Sequence, residues 1–308
     1  MPEAGYELHA IAVEGLSRTS PLRAARALLR SAQALVHARR LLGELRPGAV
    51  MGGGGYVSGP VGLAAVSRRI PLVLTEADSH LGLTNRVLAP FARRVCLALP
   101  LPGRNGARYR VYGRPVPAPQ VDRVTARRWL GLNDDDFCVL VFGGSLGARS
   151  INLAAIEGLA DSGQRILHVA GRRDYAQLAA RALPLGYDLR ELLSTEDFDR
   201  VLAACDLVVA RAGGSVFEIA AHARPAILVP YPHASGDHQT TNARWMAEAG
   251  AAVVVPDGEL SAARLAREVS RLVSDPARLA AMARASQRLA RPRAAREVAS
   301  ELLGAAVR

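Results

Sequence analysis

The chain has 308 residues, 50% hydrophobic and 22% charged, which is enough apolar material for two domains with cores of their own and excludes a disordered chain. No run of 18 apolar residues escapes a charge, the first residues lack the basic-then-apolar pattern of a secretory signal, and Cys96, Cys138 and Cys205 form neither a paired framework nor a CxxC metal site. The net charge of +11 is carried wholly by arginine, but aromatic residues are only 5% and no basic run interleaves with them, so no nucleic-acid partner is read from it.

Ser20 and Pro21 make a helix start, a capping side chain ahead of proline at the first helical position. The helix expected over 22–45 gathers Ala25, Leu28, Leu29, Ala32, Leu35, Val36 and Leu42 on one arc, with Arg23, Arg26, Arg30 and His37 opposite. Such a basic amphipathic helix either packs its apolar arc on a core and solvates the rest, or lies on anionic lipid headgroups. Short β-branched runs over 49–51, 72–75, 94–98, 138–142, 165–170, 206–210, 226–230 and 252–256 read as strands. Between them helices are expected over 60–68, 152–161, 175–182, 215–222, 239–249 and 262–274. That alternation predicts an α/β fold of parallel sheets covered by helices. The stretch Arg114-Pro115-Val116-Pro117-Ala118-Pro119 sustains neither helix nor central strand and reads as a linker. It separates a domain over 1–118 from one over 119–308. The final arginine-rich helix, 276–307, should break near Pro292, and its end, about 285–308, is expected to pack back on the first domain.

Three glycine clusters fall at strand-to-helix turns: Gly52-Gly53-Gly54-Gly55-Tyr56-Val57-Ser58-Gly59-Pro60, Gly143-Gly144-Ser145-Leu146-Gly147-Ala148-Arg149 and Arg211-Ala212-Gly213-Gly214-Ser215. Missing β-carbons let backbone N–H groups approach an anion, and the helix that follows adds its positive end, so such turns suit pyrophosphate. Each alone is also compatible with a tight turn. None reads GxxxxGK[ST] or GxGxxG, which disfavours an ATPase or a dinucleotide enzyme. Ser215-Val216-Phe217-Glu218 has the spacing of a capping box; alternatively Glu218 faces the cleft as a bidentate acceptor for two vicinal ribose hydroxyls. Downstream, residues 230–242 crowd hydroxyl, amide and imidazole groups ahead of a helix, as a sugar site requires if each hydroxyl is to keep its hydrogen bonds when desolvated.

Taken in order, these segments with Gly82-Leu83-Thr84-Asn85-Arg86, Gly113-Arg114-Pro115-Val116 and Asp237-His238-Gln239-Thr240-Thr241-Asn242-Ala243 resemble the MurG family. Its members move GlcNAc from UDP-GlcNAc to undecaprenyl-pyrophosphoryl-MurNAc-pentapeptide in peptidoglycan synthesis. The resemblance implies a GT-B fold, two Rossmann-like domains facing a cleft, with the acceptor on the N-terminal side and the nucleotide sugar on the C-terminal side. It implies that Glu218 binds the uridine ribose, that Ser145, Arg149, Gly213, Gly214 and Ser215 surround the diphosphate, and that His238, Gln239 and Asn242 contact GlcNAc. Tyr56, Ser58 and Asn85 match positions bordering the acceptor. The implied reaction inverts the anomeric carbon: the muramyl C4 hydroxyl attacks and UDP leaves, stabilised by fixed charge and helix ends with no cofactor or metal. A peripheral site on the anionic inner-membrane surface, where the lipid acceptor resides, follows.

The family's usual opening, a strand and a GGTGGH loop bearing the favoured general-base histidine, has no counterpart here, so the N-terminal domain is expected to lack about two β/α units. Leu146 stands where many relatives have glutamine, Thr75-Glu76-Ala77-Asp78 where many read His-Glu-Gln-Asn, and the turn from Arg211 to Glu218 is one residue short. Glu76, Asp78 and His80 follow a strand at the edge where a cleft should lie, and Asp78 is the substitute base they offer; otherwise they are solvated loop polarity. Two other readings stand beside the transferase: a UDP-GlcNAc-binding partner subunit without turnover, and a UDP-sugar epimerase of the same architecture.

Overall fold

The computed structural model describes residues 5–13 and 21–307. It divides into two compact units, Met1–Pro115 with Arg293–Arg308, and Val116–Pro292. The division falls inside the proline-rich stretch. Residues after Pro292 are part of the first unit, so the last helix completes that unit's sheet and does not extend the second.

In the first unit, helix α1 (Pro21–Leu45) precedes β1 (Val50–Gly52), α2 (Gly55–Ser67), β2 (Leu72–Glu76), α3 (Leu83–Leu88) with a 3₁₀ turn at Ala89–Phe91, β3 (Arg94–Leu97) and β4 (Tyr109–Val111). The strands pair in parallel in the order β1-β2-β3-β4. Strand alternation sorts their side chains between two layers. Leu72, Leu74, Val95 and Leu97 enter a core with Ala38, Leu42, Ala64, Ala65 and Leu88 of α1–α3. Val73 and Cys96 face the other way and are covered by Val298 and Ala305 of the last helix, α12 (Ala294–Ala306). Burial pushes the Cys96 thiol up to about 12. Arg94 Nε lies 2.8 Å from Glu301 Oε1, and Tyr112 donates its hydroxyl to the same carboxylate, so α12 is pinned by polar as well as apolar contacts.

Helix α1 does not present the arc expected of it. The side chains of Arg23, Ala25 and Leu28, like Ser20, lie outside the described residues. Of the rest, Ala27, Ala34, Ala38 and Leu42 are buried, whereas Ala32 is exposed and Leu29 and Val36 are 62% and 53% exposed. At 100° per residue these exposed positions stand nearly opposite Ala27 and Ala34. Small residues let α1 approach α2 closely, so alanines take the centre of the core face, Leu35 and Leu42 of the expected arc reach its edge, and Leu29 and Val36 point to solvent.

The second unit runs α4 (Arg123–Trp129), β5 (Cys138–Phe142), α5 (Arg149–Leu159), β6 (Arg165–Val169), α6 (Tyr175–Ala179), β7 (Tyr187–Arg190), α7 (Thr195–Ala204), β8 (Leu207–Ala210), α8 (Val216–Ala221), β9 (Ala226–Leu228), α9 (His238–Glu248), β10 (Ala252–Val254), α10 (Ala262–Val273) and α11 (Pro276–Leu289). Pro292 follows the end of α11, so the expected break is present. All six strands are parallel, in the order β10-β9-β8-β5-β6-β7. Every residue of β5 and β8 is buried, which is why both read as continuous apolar runs. The chain leaves β5 toward β6 on one side and returns to β8 on the other. That reversal opens a crevice at the carboxyl ends of β5 and β8.

Candidate active site

Two of the glycine clusters meet at this reversal. The turn after β5 needs its glycines: Gly144 and Gly147 have φ of +92° and +81°, and a β-carbon on Gly143 or Gly147 would overlap Ala148 or the Ala170 carbonyl. Ser145 and Leu146 are exposed at its tip, and Arg149, also exposed, opens α5. No side chain caps that helix, so its first N–H groups keep their positive end toward the turn. The Ser145 carbonyl accepts from Arg172 N at 3.2 Å, which ties the turn to the loop after β6.

After β8, the turn Ala212–Ser215 is held from behind by Asn242, 1% exposed, whose Nδ2 donates to Ala212 O at 3.0 Å. Its Oδ1 has no hydrogen-bond partner among the described residues. Gln239 Nε2 lies 3.9 Å from where a β-carbon on Gly213 would stand, and its Oε1 accepts from Tyr231 N at 2.9 Å, so its side chain lies between the β8 and β9 loops. The capping box is not made: Ser215 is itself in helical conformation and its side chain caps nothing. Glu218, half-buried, follows this turn in α8, and His238 is the first residue of α9. The structure thus gathers Ser145, Arg149, Gly213, Gly214, Ser215, Glu218, His238, Gln239 and Asn242 around the carboxyl edge of one sheet.

Arg211, the first residue of the third glycine cluster, has a role in this site that the motif does not show. Its Nη1 donates to Asp257 Oδ1 at 2.6 Å and to the carbonyls of Val229 and Pro230 at 3.2 Å, and Nη2 donates to Ser150 Oγ at 2.9 Å. Ser150 in turn donates to Asp257 at 2.6 Å, and the guanidinium lies 5.4 Å from the centre of the Tyr231 ring. One cation clamps the loops after β8, β9 and β10 to the first turn of α5.

In the first unit the glycine-rich turn after β1 packs against α3. Thr84 Oγ1 donates to Gly55 O at 2.9 Å and Ser58 Oγ to Gly54 O at 2.6 Å. Asn85, 1% exposed, donates through Nδ2 to Thr75 O and Glu76 Oε2, each at 2.9 Å, leaving Oδ1 without a partner among the described residues. Glu76 is buried and accepts from Gly82 N at 2.9 Å and Asp78 N at 3.2 Å. It organises its loop and is not a free base. Tyr56 is 65% exposed and Asp78 and His80 are half-buried.

Two parallel Rossmann-like sheets, with glycine turns and polar side chains at their carboxyl edges, define the fold of the GT-B glycosyltransferases. Residues 1–97 match the glycosyltransferase family 28 N-terminal domain and residues 138–298 its C-terminal domain. A UDP-N-acetylglucosamine--N-acetylmuramyl-(pentapeptide) pyrophosphoryl-undecaprenol N-acetylglucosamine transferase of Rubrobacter xylanophilus is 40% identical over 99% of this chain and 91% of its own. The protein of that name from Pseudomonas putida is 38% identical over 96% and 82%. The crystal structure of Acinetobacter baumannii MurG superposes with a TM-score of 0.75 at 28% identity, covering 95% of this chain and 83% of that one. The chain belongs to the MurG family of glycosyltransferase family 28. A UDP-GlcNAc 2-epimerase from Neisseria meningitidis, TM-score 0.64 over 94% and 83% of the two chains, is only 12% identical and shares the fold alone.

Proposed function

We propose that this protein transfers GlcNAc from UDP-GlcNAc to the C4 hydroxyl of undecaprenyl-pyrophosphoryl-MurNAc-pentapeptide, converting lipid I to lipid II. The observation that carries this is near full-length identity of 38–40% to transferases of that name, joined to polar residues at the strand reversal of the second unit. There the backbone N–H groups of the two glycine turns, the uncapped start of α5 and Arg149 receive the diphosphate, whose negative charge grows as it leaves. Glu218 accepts from the ribose hydroxyls. His238 and Gln239 address the sugar, and Asn242 acts by holding the Ala212 turn. The acceptor hydroxyl attacks the anomeric carbon as the bond to UDP breaks, and its proton passes to a base, for which Asp78 in the loop after β2 is the candidate. Tyr56, Ser58 and Asn85 border the acceptor.

The acceptor's lipid places the reaction at a membrane. No described helix is long and apolar enough to cross one. Helices α1–α3 cover one face of the first sheet, and their outward surface, with the 3₁₀ turn after α3, exposes Leu29, Val36, Leu63, Leu83, Val87 and Phe91 together with Arg40 and Arg86. Aliphatic side chains beside arginines suit attachment to an anionic inner-membrane surface.

The test is incubation with UDP-GlcNAc and a lipid-linked MurNAc-pentapeptide. UDP release and disaccharide formation that both require the acceptor are expected. Consumption of UDP-GlcNAc without acceptor would point to epimerisation, and nucleotide-sugar binding without turnover to a binding subunit; either result overturns the transferase reading.

A further inference from the structure

A chain of four buried polar side chains lies under the β5 turn, and neither the sequence motifs nor the proposed chemistry uses it. His168 on β6 is 0% exposed. Its Nδ1 is 2.8 Å from Tyr187 Oη on β7 and its Nε2 is 3.0 Å from Asn152 Oδ1 in α5. Asn152, also 0% exposed, donates through Nδ2 to Ala170 O and to Asp174 Oδ2, each at 2.9 Å. Asp174 receives Arg173 through Nε at 3.0 Å and Nη2 at 2.8 Å, and that pairing holds its carboxyl below the usual range.

Only one arrangement of protons satisfies every member. Ala170 O and the Asp174 carboxylate can only accept, so the Asn152 amide must turn its NH₂ to them and its oxygen to His168. Nε2 of His168 must then carry the hydrogen. Burial keeps the imidazole neutral and keeps the Tyr187 phenol protonated, so Nδ1 accepts from the tyrosine. The direction runs Tyr187 to His168 to Asn152 to the loop after β6. That loop is the backstop of the β5 turn: a β-carbon on Gly147 would strike Ala170 O, one on Gly171 would strike Gly147 N, and Arg172 N donates to Ser145 O.

We infer that Tyr187, His168 and Asn152 are positioning residues for the diphosphate of the donor, fixing the β6 loop and through it the backbone of Gly144–Gly147, without touching the nucleotide themselves. The inference rests on the donor site proposed above. It separates the two halves of the nucleotide: the relay serves the phosphates, whereas the ribose is addressed from α8.

The experiment is calorimetric titration of the full chain with UDP and with uridine, for the wild type and for His168→Phe, His168→Gln and Tyr187→Phe, each first shown to melt cooperatively. His168→Phe should raise the UDP dissociation constant roughly tenfold, the scale of one buried hydrogen bond left unmade, with uridine affinity unchanged. His168→Gln, whose amide can donate to Asn152 and accept from Tyr187, should restore most of the loss. Tyr187→Phe, nearly isosteric, should shift UDP alone by about threefold and carries the test if His168→Phe does not fold. A wild type that binds no UDP overturns this inference together with the donor site. A wild type that binds while the folded variants lose nothing, or lose UDP and uridine alike, overturns the relay alone.

Discussion

A methyl group at position 147 would fall on the carbonyl oxygen of Ala170, and the backbone there already stands at φ +81°. Gly147→Ala should therefore displace the β5 turn and raise the UDP dissociation constant by about tenfold or more. Gly163, with φ +74° and no atom within 4 Å of an added β-carbon, isolates backbone strain: Gly163→Ala should cost about 1 kcal/mol of stability with UDP affinity intact. Thermal melts and calorimetry on the two variants decide this. His168 carries a second prediction. Burial lowers its pKa from the ordinary 6.5 to about 4, so between those values the unfolded chain binds a proton that the folded chain refuses. The resulting stability is fully present above pH 6.5 and is lost as pH falls toward 4, on the order of 3 kcal/mol in all. Denaturant midpoints across that range should slope downward with acid in the wild type and less steeply in His168→Gln.

At the scale of elements, eight strands are legible in the sequence, most plainly those buried on both faces. β5 and β8 announce themselves as unbroken apolar runs, and their glycine turns locate the crevice. Two strands left no such mark. β4, Tyr-Arg-Val, and β7, Tyr-Asp-Leu-Arg, each form one edge of their sheet, and unlike the apolar edge strands β1 and β10 they carry charged side chains, which also discourage edge pairing. The short helices α3, α4 and α7 escaped for a related reason, being brief segments rich in polar residues. The glycine cluster marks Arg211 without its role, and the relay through His168 and Asn152 leaves no mark, because their partners come from separate loops and strands that no local spacing connects. α1 was legible as a helix but not in its orientation, since the small side chains that decide close packing score as weakly apolar. That reorientation leaves Leu29 and Val36 on the outside, where replacing them disturbs no core. Leu29→Ser with Val36→Ser should leave the melting temperature within a degree or two while weakening cosedimentation with phosphatidylglycerol vesicles. Unchanged vesicle binding at low salt would refute attachment through this face.

For the whole molecule, the two units differ in how the chain builds them. Val116–Pro292 is continuous and carries every donor-site residue named above, together with its own core of Val139, Val141, Ile151, Leu207 and Ile227. Expressed alone, residues 116–292 should fold and bind UDP within about threefold of the intact chain; a fragment that binds only when joined to the rest would show that the first unit contributes to the donor site. The first unit is assembled from two separated stretches. Removing residues 293–308 uncovers Val73 and Cys96 and strips Arg94 and Tyr112 of the Glu301 carboxylate, so this truncation should destabilise the first unit and spare the second. Proteolysis read by mass spectrometry distinguishes the two outcomes.

The position of α12 sets a timetable for biosynthesis. A ribosome delivers β1 to β4 early but delivers the helix that covers their second face only after all of residues 116–292 have been made. During that interval the nascent sheet has one apolar side uncovered, so chaperones that hold apolar surface have a defined window in which to act. Slowing translation within the codons for 116–292 would lengthen that window without altering a single residue.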